Sequence, residues 1–393
     1  MNRGALLTHT GRRLTSAIAT AIGSIAVCLL SAASAGAQAQ AEKPLLAEQY
    51  FKNVTALKGI PVNEFMATMG FFAASIGENC TYCHIPESAG SWARYADDNA
   101  TKQTARKMIV MVNALNKTYF GGKREVTCYS CHRGIDRPRV TPGIAELYGP
   151  TVPAEPDELV TDGPASPTAE QILDKHLQAA GGVQRLAALK SYVAKGVFRG
   201  FSDPEKRPVE IYAKAPDQRT MIVHTAGGDS TTTYSGRAAW LAAPNMDSPM
   251  PVVELTAGDL EGARLEAQLS FPAGIKQTLK QWRAGYPSTI DDRKVQLVQG
   301  TADGRYPINL YFDDESGLLV RLVHFTDSPV GLSPTQVDYS DYRDVAGVKM
   351  PFRWVLSWLD GRTTTELSEV QPNAPVDAAK FAKPSPSTPP AKP

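Results

Sequence analysis

Two short stretches, "CTYCH" at 80–84 and "CYSCH" at 128–132, place two cysteines three positions apart with a histidine directly after the second. In that arrangement both thiols can add to the two vinyl groups of one haem, and the imidazole that follows falls beneath the iron as its proximal ligand. Cys80, Cys83, Cys128 and Cys131 are therefore candidate attachment points for two covalently bound haem c groups, with His84 and His132 as candidate proximal ligands. Two other chemistries use the same residue types. Zinc sites take paired cysteines, and in an oxidising compartment four cysteines can form two disulfides. Neither requires a histidine beside each pair, and a chain of 393 residues does not need disulfides to be stable.

The sixth iron ligand decides what such a haem does, since a Met or His closes the position and an open one admits small molecules. Outside the motifs and the first 39 residues the histidines are His176, His224 and His324, all late in the chain and each read as structural. Methionine is the better candidate. Met69 stands eleven residues before Cys80, three helical turns, and Met66 lies one turn back on the same face. Met108 and Met111 are the corresponding candidates before the second motif. The competing reading of a Met at helical spacing is core packing. Arg133, Arg106 and Lys107 are candidates to pair with haem propionates, against the alternative of solvated surface charges. Tyr82 and Tyr129, inside the motifs, are expected to pack on the rings.

Elements must hold these residues in place. From about Glu42 to Pro150 apolar residues recur at steps of three and four, as in "VNEFMATMGFFAASIG" and "TKQTARKMIVMVNALNK", which predicts a small all-α domain over 42–150. Residues 151–167 are rich in Pro and acid without a period and read as a linker. Thr168 with Gln171 forms a capping box that opens a helix, and Gly181 with Gly182 ends it. Beyond it the period shortens. Runs such as "SYVAKGVFRG", "RPVEIYAK", "LLVRLVHF" and "MPFRWVLSW", separated by turn residues, predict one curved antiparallel sheet with a few helices over 168–375. The fold class expected is multidomain, an all-α dihaem c-type cytochrome domain followed by a mainly antiparallel β half-barrel domain. The Pro-rich residues 376–393 are expected to be a disordered tail.

At the other end, Arg3, Arg12 and Arg13 precede the apolar "AIATAIGSIAVCLL", and "AGAQA" offers cleavage after Ala37 or Ala39, so 1–39 reads as an export signal. Cys28 leaves with it, and its setting does not fit a lipoprotein junction. With 41 Lys plus Arg against 40 Asp plus Glu there is no basic excess for nucleic acid to attract.

"NEFMATM", "CTYCH", "TKQTARKMIVMVNALN" and "VTCYSCHRG" resemble, in order and wording, the first half of the tetrahaem cytochrome c subunit of purple-bacterial photosynthetic reaction centres. The resemblance covers about residues 45–137. It implies that each haem is held by a helix, a turn and the Cys-Xaa-Xaa-Cys-His segment, with Met69 and Met108 as distal ligands. Two departures stand out: there are two haem motifs where that subunit has four, and "NKTYFGGKREVTC" lacks the histidine that serves a haem of the second half. The stretch from "TAEQILDKHLQAAGG" to "MPFRWVLSW" resembles periplasmic lipoprotein-carrier (LolA-like) folds, which implies a half-barrel able to hold an apolar ligand such as a lipid or a quinone; a partner-docking role is the alternative.

These readings converge on an exported electron-transfer protein rather than an enzyme. Its expected place is the periplasm or the periplasmic face of the inner membrane. Its expected partners are a redox donor and acceptor, with a reaction centre as one candidate membrane complex. Two other classes stay open: an apolar-ligand carrier with redox-sensing haems, and a haem enzyme of the peroxidase type.

Overall fold

A computed structural model describes residues 43–141, 167–201, 205–244, 248–301 and 306–387. The expected export signal and all but the last residue of the expected linker lie outside these residues. From Pro44 on, the described residues form one compact unit.

The elements described up to residue 141 are helices and 3-10 turns. They are α1 Ala47–Tyr50, α2 Val62–Ile76, α3 Cys80–Cys83, α4 Ala100–Tyr119 and α5 Cys128–His132. Helix α2 starts after Pro61, which cannot donate an amide to a preceding turn, and stops at Gly77, whose φ of 72° is left-handed. Helix α4 is opened by Asn99, whose side chain accepts from the Lys102 amide at 2.8 Å. Among the described residues no helix is long and apolar enough to cross a membrane.

The second part opens with α6 Ala169–Ala179, where Thr168 and Gln171 form the expected capping box, followed by α7 Val183–Ala188. Fourteen described strands follow. They are β1 Ser191–Arg199, β2 Arg207–Lys214, β3 Gln218–Thr225, β4 Gly228–Tyr234, β5 Ala239–Ala242, β6 Val252–Leu255, β7 Gln281–Ala284, β8 Ser288–Ile290, β9 Arg293–Thr301, β10 Ile308–Asp313, β11 Leu319–Ser328, β12 Gly331–Val345, β13 Val348–Trp358 and β14 Gly361–Pro372. All pair antiparallel in one sheet, ordered β6-β5-β4-β3-β2-β1-β14-β13-β12-β11-β10-β9-β7, with β8 on β9.

The sheet curls, and α8 Ala257–Leu269 shows why. It packs on β3, β4 and β5 and also on β11, strands far apart in the sheet order. Arg219 of β3 pairs with its Glu266 at 2.8 Å, while its Gly258 and Gly262 lie so close to Thr326 and His324 of β11 that a Cβ would collide. The main core lies against the same face, with Leu173, Leu186, Ile211, Leu265, Ile275 and Leu322 all almost completely buried.

Helix α2 reaches across this curled sheet. Near its start Asn63 Nδ2 donates to Asp259 Oδ2 at 2.9 Å, and the Thr256 hydroxyl donates to Glu64 Oε1 at 2.6 Å, tying it to the segment after β6. Two turns later Phe71 packs on the β11–β12 turn, with Val330 in the same apolar cluster and its ring filling the place of a Cβ at Gly331. Arg124, on the loop before α5, pairs with Asp327 and donates to the Ser328 carbonyl of that turn.

The large antiparallel sheet agrees with the expectation. The segment expected as a tail begins differently: Ala378–Phe381 form a 3-10 turn, Phe381 is buried, and the Lys380 carbonyl accepts from Thr220 at 2.7 Å. One aromatic in a Pro-rich stretch is enough to anchor it to an apolar face.

Candidate haem-attachment sites

At the first motif Asn79 Oδ1 accepts from the Thr81 amide at 3.0 Å and the Thr81 hydroxyl at 2.7 Å, which starts the single turn α3. Residues three apart on one turn face the same way, so both sulfurs are presented together; Cys80 is exposed and Cys83 half-buried. His84 then leaves the turn in extended backbone, its Nδ1 3.1 Å from the Tyr95 carbonyl oxygen and its ring edge-on to Tyr95. An imidazole that donates from Nδ1 keeps its lone pair on Nε2, the form a metal binds. Burial lowers the His84 pKa, and the nearby Lys102 and Arg106 charges add to the effect, favouring this neutral form.

The second motif repeats the plan with different supports. Thr127 and Ser130 cap the turn reciprocally at 3.3 and 3.0 Å. Cys128 is half-buried, Cys131 exposed, and His132 Nδ1 lies 3.0 Å from the Ile135 carbonyl oxygen. Arg133 and Gly134 follow with φ of 50° and 81°, a reversal that folds the chain back beneath the histidine. The approach to this motif is pinned by buried Asn116 of α4. Its Oδ1 accepts from the Glu125 and Val126 amides at 3.1 and 3.0 Å, and its Nδ2 donates to the Val126 carbonyl at 2.7 Å. Sequence reasoning missed Asn116; its only signal was a polar residue in line with Ile109 and Val112 on an otherwise apolar stripe.

The four cysteines are unpaired thiols, and burial raises the pKa of Cys83 and Cys128. Among the described residues no three His, Cys, Asp or Glu side chains gather into a group able to hold a bare metal ion. What the chain offers is two separate units, each with two sulfurs on one turn and an imidazole tethered through Nδ1. That donor set fits two covalently attached haems.

Of the candidate distal ligands, Met69 is half-buried against the cluster of Leu57, Phe71 and Ile109, the cluster on which Cys128 also packs. Met66 faces a cavity against the sheet. Met108 and Met111 are 37% and 44% exposed on α4. Helix α2 lies against the second motif and α4 against both, so chain order alone does not pair a methionine with a motif. Arg106 is committed elsewhere, with Nη1 2.8 Å from Asp98 Oδ1 and Nη2 donating to the Asn53 carbonyl at 3.0 Å. Arg133 and Lys107 are exposed. Tyr82 reaches Asp136 beyond the second motif at 3.4 Å, and Tyr129 is exposed.

The remaining histidines differ among themselves. His176 is buried with Nδ1 3.1 Å from the Gly317 carbonyl, and His224 pairs with Asp229 at 2.7 Å on the surface. His324 is buried with no partner for Nδ1.

Over 97 residues the chain is 39% identical to the photosynthetic reaction center cytochrome c subunit of Thermochromatium tepidum, covering 24% of this chain and 23% of that protein. It is 34% identical over 97 residues to the subunit of the same name from Roseobacter denitrificans, covering 23% and 25%. The chain thus spans about a quarter of the length of these relatives. Among solved structures it is similar to a LolA superfamily protein from Nitrosomonas europaea, with a TM-score of 0.37 and 13% identity over 55% of this chain and 98% of that one. A putative outer membrane lipoprotein-sorting protein domain from Vibrio parahaemolyticus gives 0.36 and 11% over 54% and 97%. Residues 18–142, the segment that holds both Cys-Xaa-Xaa-Cys-His motifs, match the photosynthetic reaction centre cytochrome C subunit family.

Proposed function

We propose that the chain is an exported dihaem c-type cytochrome that passes single electrons. The observation that carries this reading is the matched setting of the two histidines, each held through Nδ1 by a backbone carbonyl, His84 at 3.1 Å and His132 at 3.0 Å. Cys80, Cys83, Cys128 and Cys131 would hold two haem c groups by thioether bonds, with His84 and His132 as proximal ligands and Met69 and Met108 as distal ligands; Met66 and Met111 are the alternates. When bound, each haem supplies a one-electron store.

The chain's own residues do the rest. Tyr95 and Ile135 fix the tautomer of the two imidazoles through their carbonyls. Methionine ligation raises the potentials relative to two histidines. The exposed Met108 and Met111, three residues apart on one face of α4, form an apolar strip that a haem face would cover. In this reading 42–150 is the cytochrome domain, 151–167 a linker, 168–375 the β domain and 376–393 a tail, after a signal at 1–39. The protein works in the periplasm or at the periplasmic face of the inner membrane as a carrier rather than an enzyme. A redox donor and acceptor are its partners. The relatives' name makes a reaction centre the first complex to test.

The test is a pyridine haemochrome assay of the mature protein, with oxidised and reduced spectra and the near-infrared sulfur-to-iron band. Two covalent haems per chain with that band are expected. An absence of covalent haem, or a high-spin five-coordinate iron, would overturn the reading.

A further inference from the structure

The tethers of the two imidazoles differ in one respect. The Tyr95 carbonyl oxygen that lies 3.1 Å from His84 Nδ1 also accepts from Lys102 Nζ, at 2.7 Å. Lys102 Nζ donates to the Asp97 carbonyl as well, at 3.0 Å, and only 13% of its side chain is exposed. At the second motif the Ile135 carbonyl tethers His132 in the same way, but the cations that follow that histidine, Arg133 and Arg137, are exposed. A charge in water is screened, whereas one enclosed against the hydrogen-bond acceptor of a ligand acts on it at short range.

Lysine is an unfavourable choice if the task is only to brace the 3-10 turn Trp92–Ala96. Lys102 stands in the first turn of α4, the end at which the helix dipole disfavours a cation, and lysine is among the side chains least often buried. A neutral amide would serve the same two carbonyls. Nor is the charge cancelled. Lys102 and Arg106 share the carboxylate of Asp98, at 3.6 and 2.8 Å, while Arg94 and Asp97 pair with each other at 3.1 Å. Two cations against one carboxylate leave a positive charge beside the first motif.

Two effects of that charge have the same sign. The ammonium occupies acceptor capacity of the Tyr95 carbonyl that His84 Nδ1–H would otherwise use, so the imidazole is a weaker electron donor through Nε2. One-electron reduction removes a positive charge from the site, which a fixed cation favours. The pKa of His84 follows the same electrostatics: burial lowers it first, and Lys102 next.

From this geometry we infer that Lys102 raises the reduction potential at the first motif, through its charge and the shared Tyr95 carbonyl, and so makes two sites of the same donor set unequal. The inference rests on the dihaem reading and adds a residue that tunes one haem without touching it.

The experiment is a spectroelectrochemical titration of the purified full-length protein, after its haem stoichiometry has been measured. Lys102→Gln keeps a donor for the carbonyls and removes the charge. It should lower one of the two midpoint potentials by about a tenfold change in the reduction equilibrium, ~59 mV for one electron, and leave the other in place. Lys102→Arg, which keeps the charge, should stay near the parent. Asp98→Asn, which removes the offsetting carboxylate, should move the same potential upward; loosening of the segment alone would not reverse the sign. A Cys80→Ala background leaves the first haem a single thioether and displaces its α band, which identifies the step that moves. A parent without covalent haem overturns the carrier reading and this inference with it. With two haems present, the inference alone is overturned by an unshifted potential in Lys102→Gln, by a shift at the second motif instead, by an equal fall in Lys102→Arg, or by a fall in Asp98→Asn. Should Lys102→Gln fail to load its haem, the sign of the shift in Asp98→Asn decides.

Discussion

The Gly134 amide donates to the Ser75 carbonyl at 2.9 Å, so the loop that follows the second motif is fastened to the end of the helix that precedes the first. The two attachment segments are thus parts of one construction. A side chain at Gly77 would collide with the Gly134 carbonyl, which means the close approach depends on a residue without a Cβ as well as on the left-handed φ.

Replacing Gly77 with Ala should therefore cost more than backbone strain alone. Gly59 has a similar φ of 82° but open space around it, so Gly59→Ala isolates the strain, about 1 kcal/mol. For Gly77→Ala the collision adds to this, to about 2–4 kcal/mol in all. Denaturant unfolding of the two variants checks the order; equal losses would mean that the contact with Gly134 relaxes without cost.

Asn116→Ala should lower haem loading at the second motif and leave the first intact. The substitution strands the Val126 amide and carbonyl next to Thr127, the cap of α5, at about 1–3 kcal/mol. The haemochrome stoichiometry should fall from two toward one per chain. Asn116→Asp keeps the acceptor and loses the donor, and should fall between. Equal loss at both motifs would point to general unfolding instead.

The motifs, the capping box at Thr168 and the strand pattern were legible because each is local: a few neighbouring residues carry the whole signal. The placement of α2 across the sheet was not. It rests on Asn63 meeting Asp259, Phe71 meeting the turn at Gly331, and Arg124 meeting Asp327, contacts between residues far apart in sequence that no periodicity encodes. The setting of His324 was illegible for a related reason. On β11 it alternates with Leu322 toward the interior like any core position, and only the packed structure reveals the Nδ1 left without a partner beside a cavity.

Stability should fall as the pH drops through the histidine range. Burial pushes the pKa of both His176 and His324 down to about 4. An unfolded histidine titrates near 6.5, so between roughly 6.5 and 4 the unfolded chain binds more protons than the folded one and acid favours unfolding. The contribution is present in full above pH 6.5 and lost toward pH 4, on the order of 3 kcal/mol per histidine. His176→Asn should reduce the slope of unfolding free energy against pH in this window, to which His324 and His84, whose pKa values burial also lowers, still contribute. An unchanged slope would mean that His176 is already protonated in the fold.

The methionines offer the sharpest separation of ligand from packing. Leu conserves the volume of Met at a cost usually below about 1.5 kcal/mol but removes the sulfur. Met69 packs on the cluster that also receives Cys128, whereas Met66 turns toward the cavity, so Met69→Leu should abolish about half of the sulfur-to-iron band and lower the potential of one haem, while Met66→Leu leaves both unchanged. Met108→Leu should remove the other half and Met111→Leu none. Because α2 lies against the second motif and α4 against both, potentiometry of the single variants also tells which haem each methionine serves. Loss of the band in Met66→Leu with Met69→Leu silent would move the ligand to the cavity face of α2.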